Sequence, residues 1–382
     1  MLDLGLRTET PKTAAEVVEL VAAGRPLEIV GGGTKRGVGS VRGAEAVLSL
    51  AGLSQVIDYA PEELVLTAQA GVKLATLEKL VAAEGQMLPF EPPHLGKLLG
   101  AKGSATLGGA LAANLSGPRR IRAGAARDHF LGLEAVTGRG ELMKAGGRVV
   151  KNVTGYDLAK LMAGSWGTLA VLTEVTIKLL PAARTELTLL FFGLDDARAG
   201  EAMTRALNAP VEVSGAAHLP QRTAARAPLK GEMAVTALRL EGFAASVAAR
   251  AEHLALALKD FGRIEQLDAP LSRDFWVQVR EVEAFWKDPR RLWRISVPPA
   301  VGWRVGEAAP GDVLYDWGGG LVWLLSDADP RPAVRALGGH ATLYRGAGVA
   351  FETLEGPLAA LTARVKAAFD PHALLNPGRM AG

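Results

Sequence analysis

The sequence predicts an α+β chain of two domains, and three features carry that prediction. The chain's 382 residues exceed what a single hydrophobic core usually organises. Short runs rich in Val, Ile, Thr and Leu are interspersed with helical segments and stopped by Gly, Pro or acidic turns. Composition then changes after Pro181, where the order of strands and helices suits helices laid on one face of an antiparallel sheet. The expected division is a first domain over 1–181 and a second, cap-like α+β domain over 182–345. A C-terminal helix and tail over 346–382 should return to the first domain.

The elements follow in order. Thr13 and Glu16 have capping-box spacing before the apolar run Val17, Val18, Leu20 and Val21, and Gly24 closes that helix. Strands are expected at 27–30, 46–50, 55–59 and 64–69. Leu74, Leu77, Leu80 and Val81 share one face of a helix over 73–83. A Pro/Gly-rich connector over 89–103 precedes a helix of small residues over 105–115. Strands at 130–137 and 141–144 flank Gly138-Arg139-Gly140, and a long strand runs over 168–180. In the second domain, strands are expected at 186–192, 211–217, 233–240, 292–297, 313–315 and 321–325. Its helices should cover 195–207 and 244–258, and a last helix runs over 357–369.

Composition excludes several classes of function. With 49% apolar and 22% charged residues, the chain falls in the globular range and can enclose a cofactor. A formal charge of +3 and 5% aromatics lack the basic footprint and stacking surface of a nucleic-acid binder. No cysteine is present, which removes disulfides, thiolate metal sites, cysteinyl-flavin links and an iron–sulfur cluster of the chain's own. No metal-ligand cluster is expected. Neither a secretory signal nor a stretch of membrane-span length is visible.

The first motif is Gly31-Gly32-Gly33-Thr34-Lys35-Arg36-Gly37, directly after a strand. Glycines there let backbone N–H groups converge on an anion, and they tolerate positive φ. The spacing G-x-G-x-x-x-G is one residue too long for a Rossmann fingerprint, and no helical pattern follows it. The loop is thus either an anion cradle or a tight turn. A second cluster, Gly103-Ser104-Ala105-Thr106-Leu107-Gly108-Gly109-Ala110 through Asn114, Ser116 and Gly117, places glycines where a helix should begin. Each costs about 1 kcal/mol against Ala, so either a bulky ligand approaches the backbone or helices pack tightly.

Together these clusters resemble the FAD-binding domain of the vanillyl-alcohol oxidase and p-cresol methylhydroxylase superfamily, a fold of two subdomains. The run from Val150-Lys151-Asn152-Val153-Thr154-Gly155-Tyr156-Asp157 to Gly164-Ser165-Trp166-Gly167-Thr168-Leu169 is similar to that of the glycolate oxidase and D-lactate dehydrogenase branch. So is the tail at Asp370-Pro371 and Leu375-Asn376-Pro377-Gly378. Within the branch, 292–297 and 338–342 look most like the smaller FAD-domain subunit of bacterial glycolate oxidase.

The resemblance implies that Val30, Gly31, Gly32, Gly33, Thr34 and Lys35 face the FAD pyrophosphate. Pro89, Thr106, Leu107, Gly108 and Gly109 approach from the other side. It places Asn114, Ser116, Gly117 and Gly124 along the isoalloxazine and ribityl region. Gly164, Gly167, Thr168, Ala170 and Val171 would meet the adenosine half or the ribityl chain. The flavin should be non-covalent, because this loop carries Thr34 and Lys35 where covalent relatives use His or Cys. Lys151 lies either near the flavin's electron-rich edge or in plain packing. Arg119, Arg120, Arg122 and Arg127 are phosphate partners or a solvated basic face, with Arg127 and Asp128 paired. The tryptophans of the second domain read as core or interface anchors.

One part of the family pattern is missing. Relatives that oxidise D-2-hydroxy acids carry G-D-G-N-x-H in the second domain, whereas this chain reads Gly318-Gly319-Gly320-Leu321-Val322-Trp323. His340 is then the remaining acid/base candidate, against a structural histidine. The expected function is an FAD-binding subunit of a glycolate (2-hydroxy acid) oxidase or dehydrogenase, with an incomplete substrate site of its own. A larger FAD-containing subunit and an iron–sulfur subunit are the expected partners. The alternatives are a self-sufficient FAD-linked oxidoreductase and a non-catalytic assembly subunit. A cytoplasmic location is expected, either free or held at a membrane through partner subunits.

Overall fold

A computed structural model describes residues 5–148, 155–227 and 232–380. These form two compact units. The first comprises the chain up to Ser116, then Ala125–Ala182 and the stretch from Val349 onward; the second comprises Gly117–Gly124 and Ala183–Gly348. Among the described residues, no helix is long and apolar enough to cross a membrane.

In the first unit, the helix Ala14–Ala22 starts where its cap predicts. Thr13 Oγ1 accepts the Glu16 N–H, and the Glu16 carboxylate takes the N–H of Lys12. Its buried Val17 and Val21 join the core of a three-stranded parallel sheet, ordered Arg7–Glu9, Ala46–Ser49, Leu27–Val30. A five-stranded antiparallel sheet runs Val56–Ala60, Val65–Gln69, Ala170–Lys178, Phe130–Thr137, Leu142–Gly146. The strand expected over 168–180 begins at Ala170, because Thr168 Oγ1 turns back to the Ser165 carbonyl at 2.7 Å. The small-residue helix is shorter than expected, Leu107–Ala112. Thr106 caps its start, and Asn114 leaves it at a φ of +47°.

The C-terminal tail completes this unit. After the helix Gly356–Phe369, Asp370 accepts the N–H groups of Leu374 and Leu375 at 2.9 and 2.8 Å and pairs with Lys366 at 2.5 Å. The turn so fixed lays the tail beside Leu27–Val30. Leu27 donates to the Leu374 carbonyl at 2.7 Å, and Asn376 donates to the Leu27 carbonyl at 2.9 Å. The Asn376 side chain then accepts the Ile29 N–H and donates to the Trp166 carbonyl, both at 2.8 Å. One amide thus joins a strand, a loop and the tail.

The second unit is an eight-stranded antiparallel sheet, ordered Ile264–Leu267, Thr185–Phe192, Val235–Gly242, Gly215–Leu219, Asp312–Asp316, Leu321–Leu325, Leu292–Ser296, His340–Arg345. The strand expected over 211–217 is displaced to Gly215–Leu219, since Pro210 and a left-handed Glu212 interrupt extended pairing. Helices cover both faces rather than one. Leu189 and Phe191 share a core with Met203 and Leu254, on helices Asp196–Asn208 and Ala244–Ala257. The alternate side chains, Glu186 and Thr188, are buried and polar, and they meet the unforeseen helix Ala269–Glu281. Ser272 donates to Glu186 at 2.6 Å, and the Trp276 indole donates to Thr188 at 2.8 Å. Buried polar groups need such partners.

Nothing in the sequence marks the excursion at Gly117–Gly124 into the second unit, where residues 1–181 were expected as one domain. Arg119 accounts for it physically. Its guanidinium forms two bonds to Glu241, at 2.8 and 3.2 Å, with both side chains largely buried. Burial pulls the Glu241 carboxyl upward, but Arg239 and Arg119 outweigh it and bring the pKa down to about 2. The Trp317 indole also donates to the Gly117 carbonyl at 2.9 Å.

The tail is the contact to break. Asp370→Ala should destabilise the first unit by about 3 kcal/mol, because it orphans two N–H groups and removes the carboxylate partner of Lys366. Urea unfolding measures the loss, and amide exchange at Leu27 and Ile29 should quicken. A change within error in both would show that the tail does not hold the strand.

Candidate functional site

One groove in the first unit runs along the Gly-rich loop. Its inner part is lined by Val30 through Arg36, Thr106, Gly108, Gly109, Gly167 and Ala170; its outer part continues from Val30–Gly33 past Lys73, Lys102, Gly103 and Ser104. Loop meets loop here at backbone distance. A Cβ on Gly32 would stand 1.5 Å from the Ser104 carbonyl oxygen, and one on Gly103 would stand 1.7 Å from that of Gly32. The glycines at 32 and 103 are therefore demanded by the protein's own packing. Gly108 is similar, with Ala70 Cβ 2.6 Å from where its Cβ would lie. Gly33 differs, for its φ is +74° and its nearest neighbour, Val30, is 3.8 Å away. There the glycine serves conformation and leaves open space.

The charges of this cradle do not balance. Glu28 takes both arms of Arg36, at 2.8 and 2.6 Å, and lies 3.5 Å from Arg379. Arg379 is buried, and its Nε has no acceptor among the described residues. Lys35 keeps part of its stem in solvent, but its ammonium is enclosed, 3.3 Å from Thr34 Oγ1. Among the described residues it has no carboxylate partner. Burial first, and then the Arg379 guanidinium, push its pKa down to about 8. Arg36 and Arg379 thus meet at the one carboxylate of Glu28, and Lys35 has no acid of its own among the described residues. Enclosed charge of that kind calls for an anion, which a diphosphate would supply.

The sequence-derived residues divide accordingly. Val30, Gly31, Gly32, Gly33, Thr34, Lys35, Thr106, Gly108, Gly109, Gly167 and Ala170 line the groove. Pro89, Leu107, Asn114, Ser116, Gly164, Thr168 and Val171 do not line it. Val171 points to the opposite face of its strand, so Leu172 lines the groove beside Ala170. Asn114 and Ser116 accept the N–H groups of Arg127 and Ala126, at 3.1 and 2.9 Å, and so fix a turn. Gly117 and Gly124 fall in the second unit. Lys151 and the run 150–154 lie outside the described residues. Sequence reasoning missed Ile29, Arg36, Leu50, Trp166, Asn376 and Arg379.

In the second unit, Arg120 and Arg122 are exposed, as a solvated face requires, while Arg119 is partly buried. Arg119 and Arg122 pair with Glu241 and Glu212, and Arg120 stacks on Trp317 with 4.1 Å to the ring centroid. Arg127, in the first unit, lies 3.6 Å from Asp128, as the sequence proposed. His340 is exposed at the start of an outer strand, opposite Ser296. Trp276, Trp293, Trp317 and Trp323 are buried.

An FAD binding domain family profile matches residues 6–146. The chain is similar over most of its length to glycolate oxidase subunit GlcE of Escherichia coli (strain K12). The two are 37% identical over 332 residues, covering 85% of this chain and 84% of that protein. Similarity to glycolate oxidase subunit GlcD of Bacillus subtilis (strain 168) is partial, 35% over 144 residues, or 38% of this chain and 29% of that protein. Among solved structures, 4-ethylphenol oxidase from Gulosibacter chungangensis superposes with a TM-score of 0.71 at 16% identity, over 98% of this chain and 88% of that one. That likeness shows the fold, which is the α+β, FAD-binding architecture expected from the motifs.

Two predictions follow from the cradle. Gly32→Ala should lower the Tm of the flavin-free chain sharply, because a Cβ there meets Ser104, whereas Gly33→Ala should cost only about 1 kcal/mol of backbone strain. Equal effects on thermal unfolding would contradict the packing described. The second concerns Lys35. In the free chain its charging costs stability below about pH 8, and that cost fades as the pH rises from about 8 towards 10.5. A bound diphosphate favours the ammonium and raises its pKa. FAD affinity should thus be full below about pH 8 and fall above it, by up to about tenfold per pH unit. Lys35→Met should bind more weakly and lose that slope, as equilibrium flavin titrations would report.

Proposed function

This chain belongs to the family of glycolate oxidase subunit GlcE, and from that premise we propose that it is the FAD-binding subunit of a multisubunit oxidase. Glycolate or a similar small 2-hydroxy acid is the substrate of the complex. The observation that carries the reading is the uncompensated cationic cradle at Lys35 and Arg379, within a chain similar to GlcE over 84% of that protein's length. FAD, when bound, supplies a two-electron acceptor for the hydride of an alcohol carbon.

The chain's own residues would hold and shield it. Lys35 and Arg379 face the diphosphate, each contributing roughly 1.5–3 kcal/mol as a charged hydrogen-bond donor. Backbone N–H groups of Gly32, Gly33 and Thr34 add neutral donors. Thr106 keeps its hydroxyl on the Gly109 N–H at 3.3 Å and so sets the facing wall. Among the described residues the lining contains no histidine, tyrosine or cysteine, which supports non-covalent attachment. In the second unit, no residue at Gly318–Trp323 can accept the hydroxyl proton of a substrate, since glycine, leucine, valine and tryptophan side chains lack a base.

The base is assigned in this reading to a partner subunit. The match to a GlcD subunit fits a larger FAD-containing subunit in that role, and an iron–sulfur subunit is the proposed electron outlet, because this chain has no cysteine. A cytoplasmic complex, held at a membrane only through those partners, is the corresponding location.

Anaerobic titration of the FAD-loaded chain with glycolate and with D-lactate tests the reading. The oxidised flavin band should persist with the isolated chain and bleach once the co-expressed partner subunits are present. Rapid bleaching without a partner would replace the subunit reading by a self-sufficient oxidase.

A further inference from the structure

Arg294 occupies the centre of the strand Leu292–Ser296, with Trp323 opposite on one neighbouring strand and Thr342 on the other. Its guanidinium carbon lies 5.1 Å from the Trp317 ring centroid and 6.0 Å from that of Trp323. Tyr344 closes the wall edge-on to Trp323, with ring centroids 5.3 Å apart. All three aromatic residues are buried, whereas Arg294 is partly exposed. Other arginines of this unit have acids: Arg119 has Glu241, Arg205 has Asp260, and Arg290 has Asp288 and Asp312. Arg294 has no carboxylate and no hydrogen-bond acceptor among the described residues.

Indoles beside a guanidinium attract its charge through their ring faces and accept none of its in-plane N–H donors. Those donors form the fork that matches a carboxylate with two parallel bonds. Arg120 lies over the same Trp317 ring, 4.1 Å from its centroid, so this indole is bordered by two guanidiniums. Aromatic walls lower the dielectric around the fork and strengthen any bond it makes. The same strand register sets Arg294 directly beside Trp323, the end of the segment that sequence alone reads as lacking polar groups.

We infer that Arg294, framed by Trp317, Trp323 and Tyr344, is a binding site for the carboxylate of a small 2-hydroxy acid. The inference rests on the reading of the complex as an oxidase of such acids, and it deepens that reading. Recognition is separated here from proton removal: Arg294 holds the carboxylate, while the neighbouring segment Gly318–Trp323 offers no base for the hydroxyl proton.

The test uses the full chain without flavin, so that it is independent of the cradle. Tryptophan fluorescence is followed during titration with glycolate at constant ionic strength, with uncharged glycolamide as control. Glycolate should give a saturable change that glycolamide does not. Arg294→Met should weaken it at least about tenfold, and Arg294→Lys, which keeps the charge without the fork, should fall between. Circular dichroism verifies that each variant is folded. A glycolamide response equal to that of glycolate, an Arg294→Met titration like the wild type, or no saturable change would each overturn the site. FAD titration of the same variants should be unchanged, which separates failure here from failure of the flavin reading.

Discussion

Three cations with one carboxylate among them govern the first unit. Lys35 has no acid among the described residues, and Glu28, which holds Arg36 with two bonds, also pairs with Arg379 at 3.5 Å. A protein tolerates such an arrangement when an anion completes it. The surrounding construction has one purpose in common, to bring those cations to the glycine backbone. Asp370 turns the tail, Leu374 and Asn376 dock it against Leu27, and the Asn376 amide ties Ile29 to Trp166. Three segments far apart in sequence thereby share one small site.

The second unit follows a different logic, in which nearly every buried charge is neutralised internally. Arg239 and Arg119 lower Glu241, and Asp312 is surrounded by Arg222, Arg226 and Arg290. Against that background an arginine stacked on two indoles and left without an acid is conspicuous. Fully paired charges stiffen a sheet and give no chemistry. An unpaired one is available for recognition, and Arg294 has the aromatic walls that recognition of a small acid needs.

Much of the cradle was legible because glycine, threonine and lysine in one loop report a local requirement. The loop's conformation and its local positive charge are both properties of a few consecutive residues. Arg379 and Asn376 were not legible as site residues, since each acts across more than three hundred residues of sequence. Val171 and Leu172 show a subtler limit: strand alternation decides which one faces the groove, and the starting register, set by Thr168 and Ser165, is tertiary. The helix Ala269–Glu281 does carry its cap at Asp268 and buried positions at 272, 275, 276 and 279. Its pattern escapes apolar periodicity because Ser272 is one of the buried four, chosen to satisfy Glu186 and Thr188.

In the proposed function, Lys35 and Arg379 recognise a diphosphate. Calorimetric titration of the flavin-free chain with ADP, and in parallel with adenosine, tests it most directly. ADP should bind, weaken with added salt, and lose affinity in both Lys35→Met and Arg379→Met, while adenosine shows little heat. Equal binding of ADP and adenosine, or ADP binding that ignores both substitutions, would contradict the account.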